Sequence, residues 1–196
     1  MKAIVNANLV LEDRILENGA ILTDKGRIVS FGPMDEVEIP REAEVYDAQG
    51  KLLGPGFVDI HCHGGNGVMF DADPARAAAH FLAHGETTVL ATLYYNLSYD
   101  EMLSAIRRIQ DAMRQGSAPA IGGIYMEGPY MNPKYGASPE KNQWRGPINP
   151  EEANALIQAT GKDVLVWAIA PERAGVASFA TAAKAVNGNV RFAVGH

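Results

Sequence analysis

The sequence predicts an α/β protein, most of which is the first part of a (β/α)8 TIM-type barrel. Three observations predict this fold class. Short apolar runs separated by turn residues fill positions 1–53, with few helix signals. From residue 54 onward, apolar strands alternate with helical patterns, which indicates a parallel sheet with helical crossovers. Polar side chains suited to catalysis follow several of these strands, as they do at the catalytic face of a barrel.

Residues 1–53 are predicted to form part of a small β-sandwich domain. Six apolar runs have the length and composition of strands: residues 3–5, 8–11, 19–23, 27–31, 44–48 and 51–53. The first two runs are predicted to pair with each other. Asp24-Lys25-Gly26 is a favourable hairpin turn, and Gln49-Gly50 is interpreted in the same manner. This segment is too short to close a sandwich alone, so its partner strands are expected elsewhere.

Residues 54–196 are predicted to form the first part of the barrel, with about five strands. The predicted strands are residues 56–61, 87–93, 120–126, 164–170 and 190–194, and the predicted helices cover about 74–84, 98–115, 149–161 and 174–186. Helix starts are indicated by the capping residues Asp73 and Asn149 and by a capping box of Ser98 and Glu101. A full barrel needs about 250 residues. We therefore expect this chain to be the N-terminal portion of a longer protein.

An open, doubly wound sheet is the alternative that the strand and helix pattern leaves. Such a sheet more often concentrates its site at one switch point beside a glycine-rich phosphate loop. Gly64-Gly65-Asn66-Gly67 is rich in glycine, but it lacks the P-loop lysine and the dinucleotide-binding spacing. The scatter of polar residues over several strand ends favours the barrel.

Composition limits the partners of the protein. A formal net charge of −6, without any run of Lys or Arg, argues against nucleic acid and anionic membranes as partners. The longest apolar run, residues 164–170, is too short to span a membrane. A single cysteine cannot form an intrachain disulfide, which favours a reducing compartment. These observations predict a cytoplasmic protein.

Four side chains at the predicted strand ends are candidate metal ligands: His61, His63, Glu127 and His196. Because side chains alternate along a strand, His61 and His63 are predicted to point to one side while Cys62 points away. Imidazoles and a carboxylate suit zinc, with iron or manganese as alternatives. Three protein ligands with an open position form a hydrolytic site, and such a site acidifies bound water.

Several other residues have a simpler structural interpretation. His80 and His84 are four apart on a predicted helix but lack the glutamate of the His-Glu-x-x-His motif, so they are interpreted as surface or packing residues. Cys62 is interpreted as a small buried thiol. Lys141 and Arg145, in the loop 128–148, could meet an anionic group, but solvated loop charge is the simpler interpretation.

The motifs resemble the amidohydrolase superfamily and, within it, the N-acetylglucosamine-6-phosphate deacetylases. The superfamily signature is the segment 55–64, which contains His61-Cys62-His63 and is preceded by a β-rich segment like the family's split sandwich. The narrower match is the segment 125–133, which contains Glu127-Gly128-Pro129 and is followed by Gly136-Ala137. Two further matches keep the expected order and spacing: Ala170-Pro171-Glu172 and Val194-Gly195-His196.

The resemblance implies an enzyme that removes the acetyl group from N-acetylglucosamine 6-phosphate, giving glucosamine 6-phosphate and acetate. It implies a small-molecule amino sugar phosphate as the partner and a homodimer for the full-length protein. It also implies one or two divalent metal ions.

The resemblance implies roles for particular residues as well. Glu127 and His196 match two ligands of the principal metal, and His61 and His63 match a pair that binds a second ion in some members. Gly136 and Ala137 correspond to a loop that contacts the sugar, although Ser138 stands where a histidine is common. The catalytic residue is unknown here, because the expected aspartate lies beyond residue 196, as do a further histidine ligand and the phosphate-binding residues.

Two alternatives remain at this point. The first is another amidohydrolase, such as a cyclic amidase or a deaminase, which would share only the His61/His63 motif; Glu127-Gly128-Pro129 argues against it. The second is an inactive fragment. Half a barrel exposes open sheet edges and apolar helix faces, so no turnover is expected from residues 1–196 alone.

Overall fold

The computed structural model describes residues 1–195 and divides into two compact units, one of residues 1–55 and one that begins at residue 56. The predicted ligand His196 lies outside the described residues. None of the helices in the described part of the chain is long and apolar enough to cross a membrane.

The first unit is built around a five-stranded sheet. Its strands are β1 (Lys2–Val10), β2 (Ile15–Asp24), β3 (Arg27–Pro33), β4 (Glu44–Asp47) and β5 (Leu52–Leu53). The order is β3-β2-β1-β4, and β5 also pairs with β1. Alternate residues of β1 are buried, and they join β2 and Val37 in a small core: Ala3, Val5, Ala20, Leu22 and Val37.

The predicted hairpin at residues 24–26 is confirmed, because β2 and β3 pair antiparallel around it. Lys25 has a φ of 48° and Gly26 a φ of 76°. Tight hairpins favour left-handed conformations at both central residues, because the twist of such turns matches that of the strands.

Two other predicted strand pairings in this unit are wrong. Residues 3–5 and 8–11 do not pair with each other, since they belong to one continuous strand, β1, in which Asn6 adopts a φ of 52°. Residues 44–48 and 51–53 do not form a hairpin either: β4 and β5 both run parallel to β1. The backbone around Gln49-Gly50 bonds to β1 instead, where the carbonyl of Val5 accepts from the amide of Ala48 at 2.8 Å.

The second unit contains a parallel five-stranded sheet. Its strands are β6 (Phe57–Cys62), β9 (Glu86–Tyr94), β10 (Ile121–Glu127), β11 (Val164–Ile169) and β12 (Arg191–Val194), and a small hairpin of β7 (Gly64–Gly65) and β8 (Val68–Met69) follows β6. The order is β12-β11-β10-β9-β6, and every pairing is parallel. The predicted parallel sheet is confirmed, whereas the strands described do not close into a full barrel.

Four α-helices connect these strands: α1 (Pro74–Ala83), α2 (Tyr99–Arg114), α3 (Pro150–Thr160) and α4 (Val176–Val186). The predicted caps are present. Oδ1 of Asp73 accepts from the amide of Arg76 at 3.0 Å, and the amide of Ser98 donates to Oε2 of Glu101 at 2.8 Å. The helices and strands share a core whose largest fully buried side chains include Trp167, Met102, Ile106, Ile124 and Leu156.

Strand β6 is not the buried strand that its apolar sequence predicts. Phe57, Val58 and Ile60 are 71%, 64% and 58% exposed. The reason is its place at the edge of the sheet, where β9 is its neighbour among the strands of residues 1–195. Apolar composition indicates what a strand can bury, and the burial itself depends on neighbours.

Replacing Leu156 by Ala should destabilise the second unit strongly. Leu156 is fully buried in the core on α3, whereas Leu82 on α1 is 45% exposed. A cavity at a fully buried leucine costs about 2–5 kcal/mol of unfolding free energy, and truncation at the exposed leucine should cost about 0.5 kcal/mol. Urea denaturation of Leu156→Ala and of the matched control Leu82→Ala measures this difference. Equal losses in the two variants would contradict the core described here.

Candidate metal centre

Three of the four predicted ligands meet at the carboxyl end of the parallel sheet. His61 lies near the end of β6, His63 follows that strand, and Glu127 is the last residue of β10. Strand β9 separates β6 from β10. Because the strands are parallel, their carboxyl ends lie at the same edge, and side chains of one face can converge there.

One carboxylate oxygen contacts both imidazoles. Oε2 of Glu127 lies 3.0 Å from Nε2 of His63 and 3.4 Å from Nε2 of His61. The three ligand atoms lie within 4.8 Å of one another. Two neutral imidazoles and a carboxylate are ligands that zinc and similar divalent ions accept. The group could therefore hold a divalent cation.

The carboxylate is more shielded from water than the imidazoles. The side chain of Glu127 is 14% exposed, while those of His63 and His61 are 32% and 41% exposed. A shielded carboxylate keeps a strong electrostatic field, because less water screens its charge. The two rings remain reachable by a small molecule from solvent.

Two tyrosines pack against the imidazoles. The ring of Tyr125 lies 4.5 Å from that of His61, and the ring of Tyr94 lies 4.9 Å from that of His63. Nδ1 of His63 is buried without a hydrogen-bond partner among residues 1–195. A histidine that binds metal is usually oriented by a hydrogen bond from its second nitrogen. The contacts that the structure shows for the His63 ring are the packing of Tyr94 and the approach of Oε2 of Glu127 to Nε2.

Tyr94 is the last residue of β9, and this position at a strand end places it beside His63. The contact of Tyr125 was not foreseen. A signal for it exists in the sequence, since Tyr125 stands two residues before Glu127 on one strand and two-residue spacing places side chains on the same face.

Hydrogen bonds fix the backbone that carries the two histidines. Oδ1 of Asp59 accepts from the amide of His61 at 2.9 Å, and Oγ1 of Thr92 accepts from the amide of Cys62 at 3.1 Å. Burial raises the pKa of the Cys62 thiol to about 12, and the charge of Asp59 adds to the shift. Cys62 is therefore a protonated thiol packed against the core, and it is partly buried where the sequence predicted a buried thiol.

The segment after β10 turns sharply at Gly128, which has a φ of 103°. A side chain at Gly128 would place its Cβ 3.3 Å from Cβ of Tyr95 and from Cγ of Met131. Gly136 and Ala137 lie further along this loop, before the short 3-10 helix Pro139–Lys141. They are outside the His61/His63/Glu127 cluster, and Ala137 is exposed.

The remaining candidates stay apart from the cluster. His80 lies on α1 and His84 caps the end of that helix, where its Nδ1 is 2.8 Å from the carbonyl oxygen of His80. The two join no group of three metal-binding side chains in the described part of the chain. Nε of Arg145 donates to the carbonyl of Asn142 at 3.1 Å, so this guanidinium forms a hydrogen bond within its own loop. Lys141 is exposed, as a solvated loop charge is.

Comparison with known proteins finds sugar-phosphate deacetylases among the relatives of the chain. The chain is 30% identical over 193 residues to N-acetylgalactosamine-6-phosphate deacetylase of Escherichia coli O157:H7. The match covers 93% of this chain and 48% of that relative. It is 27% identical over 173 residues to N-acetylglucosamine-6-phosphate deacetylase of Bacillus subtilis (strain 168). That match covers 84% of this chain and 43% of the relative. No family model matches the chain.

A crystal structure of N-acetyl-D-glucosamine-6-phosphate deacetylase from Mycobacterium smegmatis resembles the whole chain. The TM-score is 0.72 at 29% sequence identity, and the match covers 100% of this chain and 54% of that one. The chain thus spans about half the length of the relatives that it matches.

The parallel half-barrel sheet with a His-His-Glu group at its carboxyl strand ends agrees with the predicted resemblance to the amidohydrolases. Within that class, the two deacetylases and the solved structure point to one family. The predicted resemblance to the N-acetylglucosamine-6-phosphate deacetylases is confirmed, and the chain corresponds to the N-terminal part of these proteins.

Replacing Tyr130 by Phe should make the unfolding free energy less dependent on pH under alkaline conditions. Tyr130 follows Gly128-Pro129, and burial, with the charge of Glu152 as a second cause, raises the pKa of its phenol from 10.0 to about 12. Because the folded state has the raised pKa, this stabilisation is fully present below about pH 10 and is lost as the pH rises through about 12. The unfolding free energy of Tyr130→Phe should therefore fall less steeply in this range.

Urea denaturation at several pH values measures the effect, with Tyr135→Phe as the matched control. Tyr135 is 60% exposed, so its loss should leave the alkaline decline as it is in the parent chain. If the unfolding free energies of the parent and of Tyr130→Phe fall equally steeply with pH, the pKa of the Tyr130 phenol is not raised in the folded state.

Proposed function

We propose that the protein that contains this chain is a metal-dependent hydrolase. It removes the acetyl group from N-acetylglucosamine 6-phosphate and yields glucosamine 6-phosphate and acetate. The single observation that carries the proposal is the meeting of Glu127, from the Glu-Gly-Pro motif, with His61 and His63 at the carboxyl end of a parallel sheet. The deacetylase names of the relatives support the same reaction.

The proposed architecture extends the half-barrel sheet. Residues 54–196 would form the first part of a (β/α)8 barrel, and residues 1–53 would form part of a small β-sandwich domain. The full-length protein would be a cytoplasmic homodimer; the single cysteine supports the reducing compartment. The parallel order of β6, β9, β10, β11 and β12 supports the barrel.

The proposed site residues divide by role. His61, His63, Glu127 and His196 would hold one or two ions, with zinc favoured over iron or manganese by two imidazoles and a carboxylate. When bound, such an ion supplies Lewis acidity toward an amide carbonyl and acidifies water. Gly136 and Ala137 would contact the sugar.

Residues 1–195 would supply charge and position the histidine rings, and they would not transfer protons in the reaction. Glu127 places a shielded negative charge beside both Nε2 atoms, and Tyr94 and Tyr125 hold the two rings in place. Hydrolysis of an amide also needs a proton at the departing nitrogen, because an unprotonated amine is a poor leaving group. By the family resemblance, an aspartate beyond residue 196 would take the proton of the attacking water and then deliver it to that nitrogen.

A second substrate is favoured by one specific observation. The Escherichia coli relative is named for N-acetylgalactosamine 6-phosphate, whereas the Bacillus and Mycobacterium proteins are named for N-acetylglucosamine 6-phosphate. The two sugars differ only in configuration at carbon 4, so the chemistry at the acetamido group is the same. N-acetylgalactosamine 6-phosphate is therefore the second candidate.

Zinc binding to the metal-free chain should depend on the three clustered side chains. Loss of a partner outside the ligand shell already weakens metal binding by about 10–100-fold, so Glu127→Gln and His63→Ala should each weaken it by about 100-fold or more. Isothermal titration calorimetry measures the affinity. His84→Ala is the matched control, because His84 is an exposed histidine at the C-cap of α1. Equal affinities for the parent and the Glu127 and His63 variants would exclude the cluster as the metal site.

Acetate release tests the reaction itself. We expect a fusion of this chain to the C-terminal half of the Mycobacterium smegmatis deacetylase to release acetate from N-acetylglucosamine 6-phosphate, while the 196-residue chain alone releases none. Glu127→Gln in the fusion should abolish the activity, and Glu140→Gln, at an exposed glutamate of the following loop, should preserve it.

Parallel assays with N-acetylgalactosamine 6-phosphate and dihydroorotate separate the alternatives. Faster hydrolysis of the first would favour the second candidate sugar, and hydrolysis of dihydroorotate without acetate release would favour a cyclic amidase. A folded, metal-loaded fusion that hydrolyses none of the three compounds would overturn the proposed function.

A further inference from the structure

One guanidinium joins the two ends of the loop that follows Glu127. Nη1 of Arg173 donates to the carbonyl of Met131 at 2.9 Å, near the start of the loop. Nη2 of the same side chain donates to the carbonyls of Trp144 and Gly146, near its end. Arg173 itself lies beyond β11, in the connection to α4. The contacts are therefore long-range, and they bridge points that are more than ten residues apart in the sequence.

The guanidinium lies in a half-buried, aromatic setting. It lies over the ring of Tyr130, 5.8 Å from the ring centroid. Tyr130 is itself packed at 4.7 Å from Phe179 of α4 and at 6.0 Å from Trp144. Cations and aromatic faces attract each other, and this attraction strengthens as water is removed. The head group is thus held on a rigid surface while its N–H groups point to the loop.

Neighbouring contacts secure each end of the loop separately. The amide of Ala170 donates to the carbonyl of Tyr130 at 3.1 Å, and Nδ2 of Asn132 donates to Glu172 at 2.6 Å. At the far end, Nε1 of Trp144 donates to the carbonyl of Leu97 at 2.8 Å. These bonds anchor one end or the other. Arg173 adds a direct connection between the ends.

The fixed geometry of the guanidinium decides what such a bridge can do. Arginine presents its donors in a planar fork, so acceptors on both sides are held at a set separation. Lysine has the same charge on a single nitrogen and a flexible stem, and it cannot reproduce that fork. Arg173→Lys therefore keeps the positive charge and removes the bridge, so this variant distinguishes the two roles.

We propose that Arg173 is a positioning residue, which holds the segment 131–146 in the conformation that presents Gly136 and Ala137 to the sugar. The substrate part of this proposal rests on the proposed function, whereas the bridging part does not. Gly136 adopts a φ of 107°, a left-handed conformation that glycine accepts readily, and it lies between the two points that Arg173 joins. The resemblance to the deacetylases gives no role to Arg173, and the sequence alone gave no signal for these contacts.

Hydrogen–deuterium exchange of the 196-residue chain tests the bridge. The amide of Gln143 donates to the carbonyl of Tyr95 at 3.0 Å, and that of Trp144 donates to Oδ1 of Asn142 at 2.7 Å, so both report on the loop. Hydrogen bonds from a charged donor stabilise more than neutral ones, and their loss opens a segment locally. We expect exchange in the segment 132–146 to accelerate by about tenfold or more in Arg173→Gln and in Arg173→Lys.

The controls separate a local effect from a general loss of structure. Amides of α2 and β10 in the same variants should change by less than about twofold, since local opening leaves the rest of the unit folded. Arg191→Gln is the matched control, because Arg191 is an exposed arginine that donates to the carbonyl of Asn189, two residues away. It should leave the segment 132–146 unchanged. Unchanged exchange in Arg173→Gln, or full restoration by Arg173→Lys, would overturn the bridge.

Kinetics of the active fusion test the substrate part. We expect Arg173→Lys to raise KM for N-acetylglucosamine 6-phosphate by about tenfold while kcat changes by less than about threefold, because a lost binding contact acts on ground state and transition state alike. Accelerated exchange together with an unchanged KM would overturn the substrate part. If the parent fusion has no deacetylase activity, the proposed function fails, and the exchange result still decides whether Arg173 bridges the loop.

Discussion

The contact of one carboxylate oxygen with two imidazoles is the interaction on which the candidate site depends. Oε2 of Glu127 reaches both Nε2 atoms because β6 and β10 run in the same direction on either side of β9. An antiparallel neighbour would place its carboxyl end at the opposite edge of the sheet. The parallel topology is thus the physical condition for the cluster, and the strand-and-helix alternation of the sequence is the condition for that topology.

The surroundings of the cluster are organised around rigid packing. Tyr94 and Tyr125 orient the rings, and the hydrogen bond of Asp59 to the backbone of His61 fixes the strand end beneath them. The loop after Glu127 is anchored at both of its ends, where Arg173 connects them. A site that must hold reacting groups within a fraction of an ångström needs such support from residues that never touch the substrate.

Much of the second unit was predictable from the sequence because its signals are local. Capping residues such as Asp73 and Ser98 mark helix starts, and Glu127-Gly128-Pro129 marks an abrupt strand end. The meeting of His61, His63 and Glu127 followed from one further assumption, that parallel strands share an edge. The family resemblance, which the relatives confirm, strengthened that assumption.

The errors and omissions have a common physical cause, which is dependence on distant partners. The turn at Gln49-Gly50 resembles a hairpin locally, yet β4 and β5 bond to β1 instead of to each other. The apolar residues of β6 are exposed because the strand lies at a sheet edge. The contacts of Arg173 join segments that no short pattern links. Each of these features depends on which strand or loop lies alongside, and local propensity does not contain that information.

X-ray absorption spectroscopy of the zinc-loaded chain tests whether His61, His63 and Glu127 bind the ion. We expect a ligand shell of nitrogen and oxygen at about 2.0–2.1 Å, with the outer-shell scattering of imidazole. In Glu127→Gln and His63→Ala this spectrum should be lost. A sulfur shell at about 2.3 Å would instead assign the ion to Cys62. Either that shell or the absence of imidazole scattering would contradict the His61/His63/Glu127 centre.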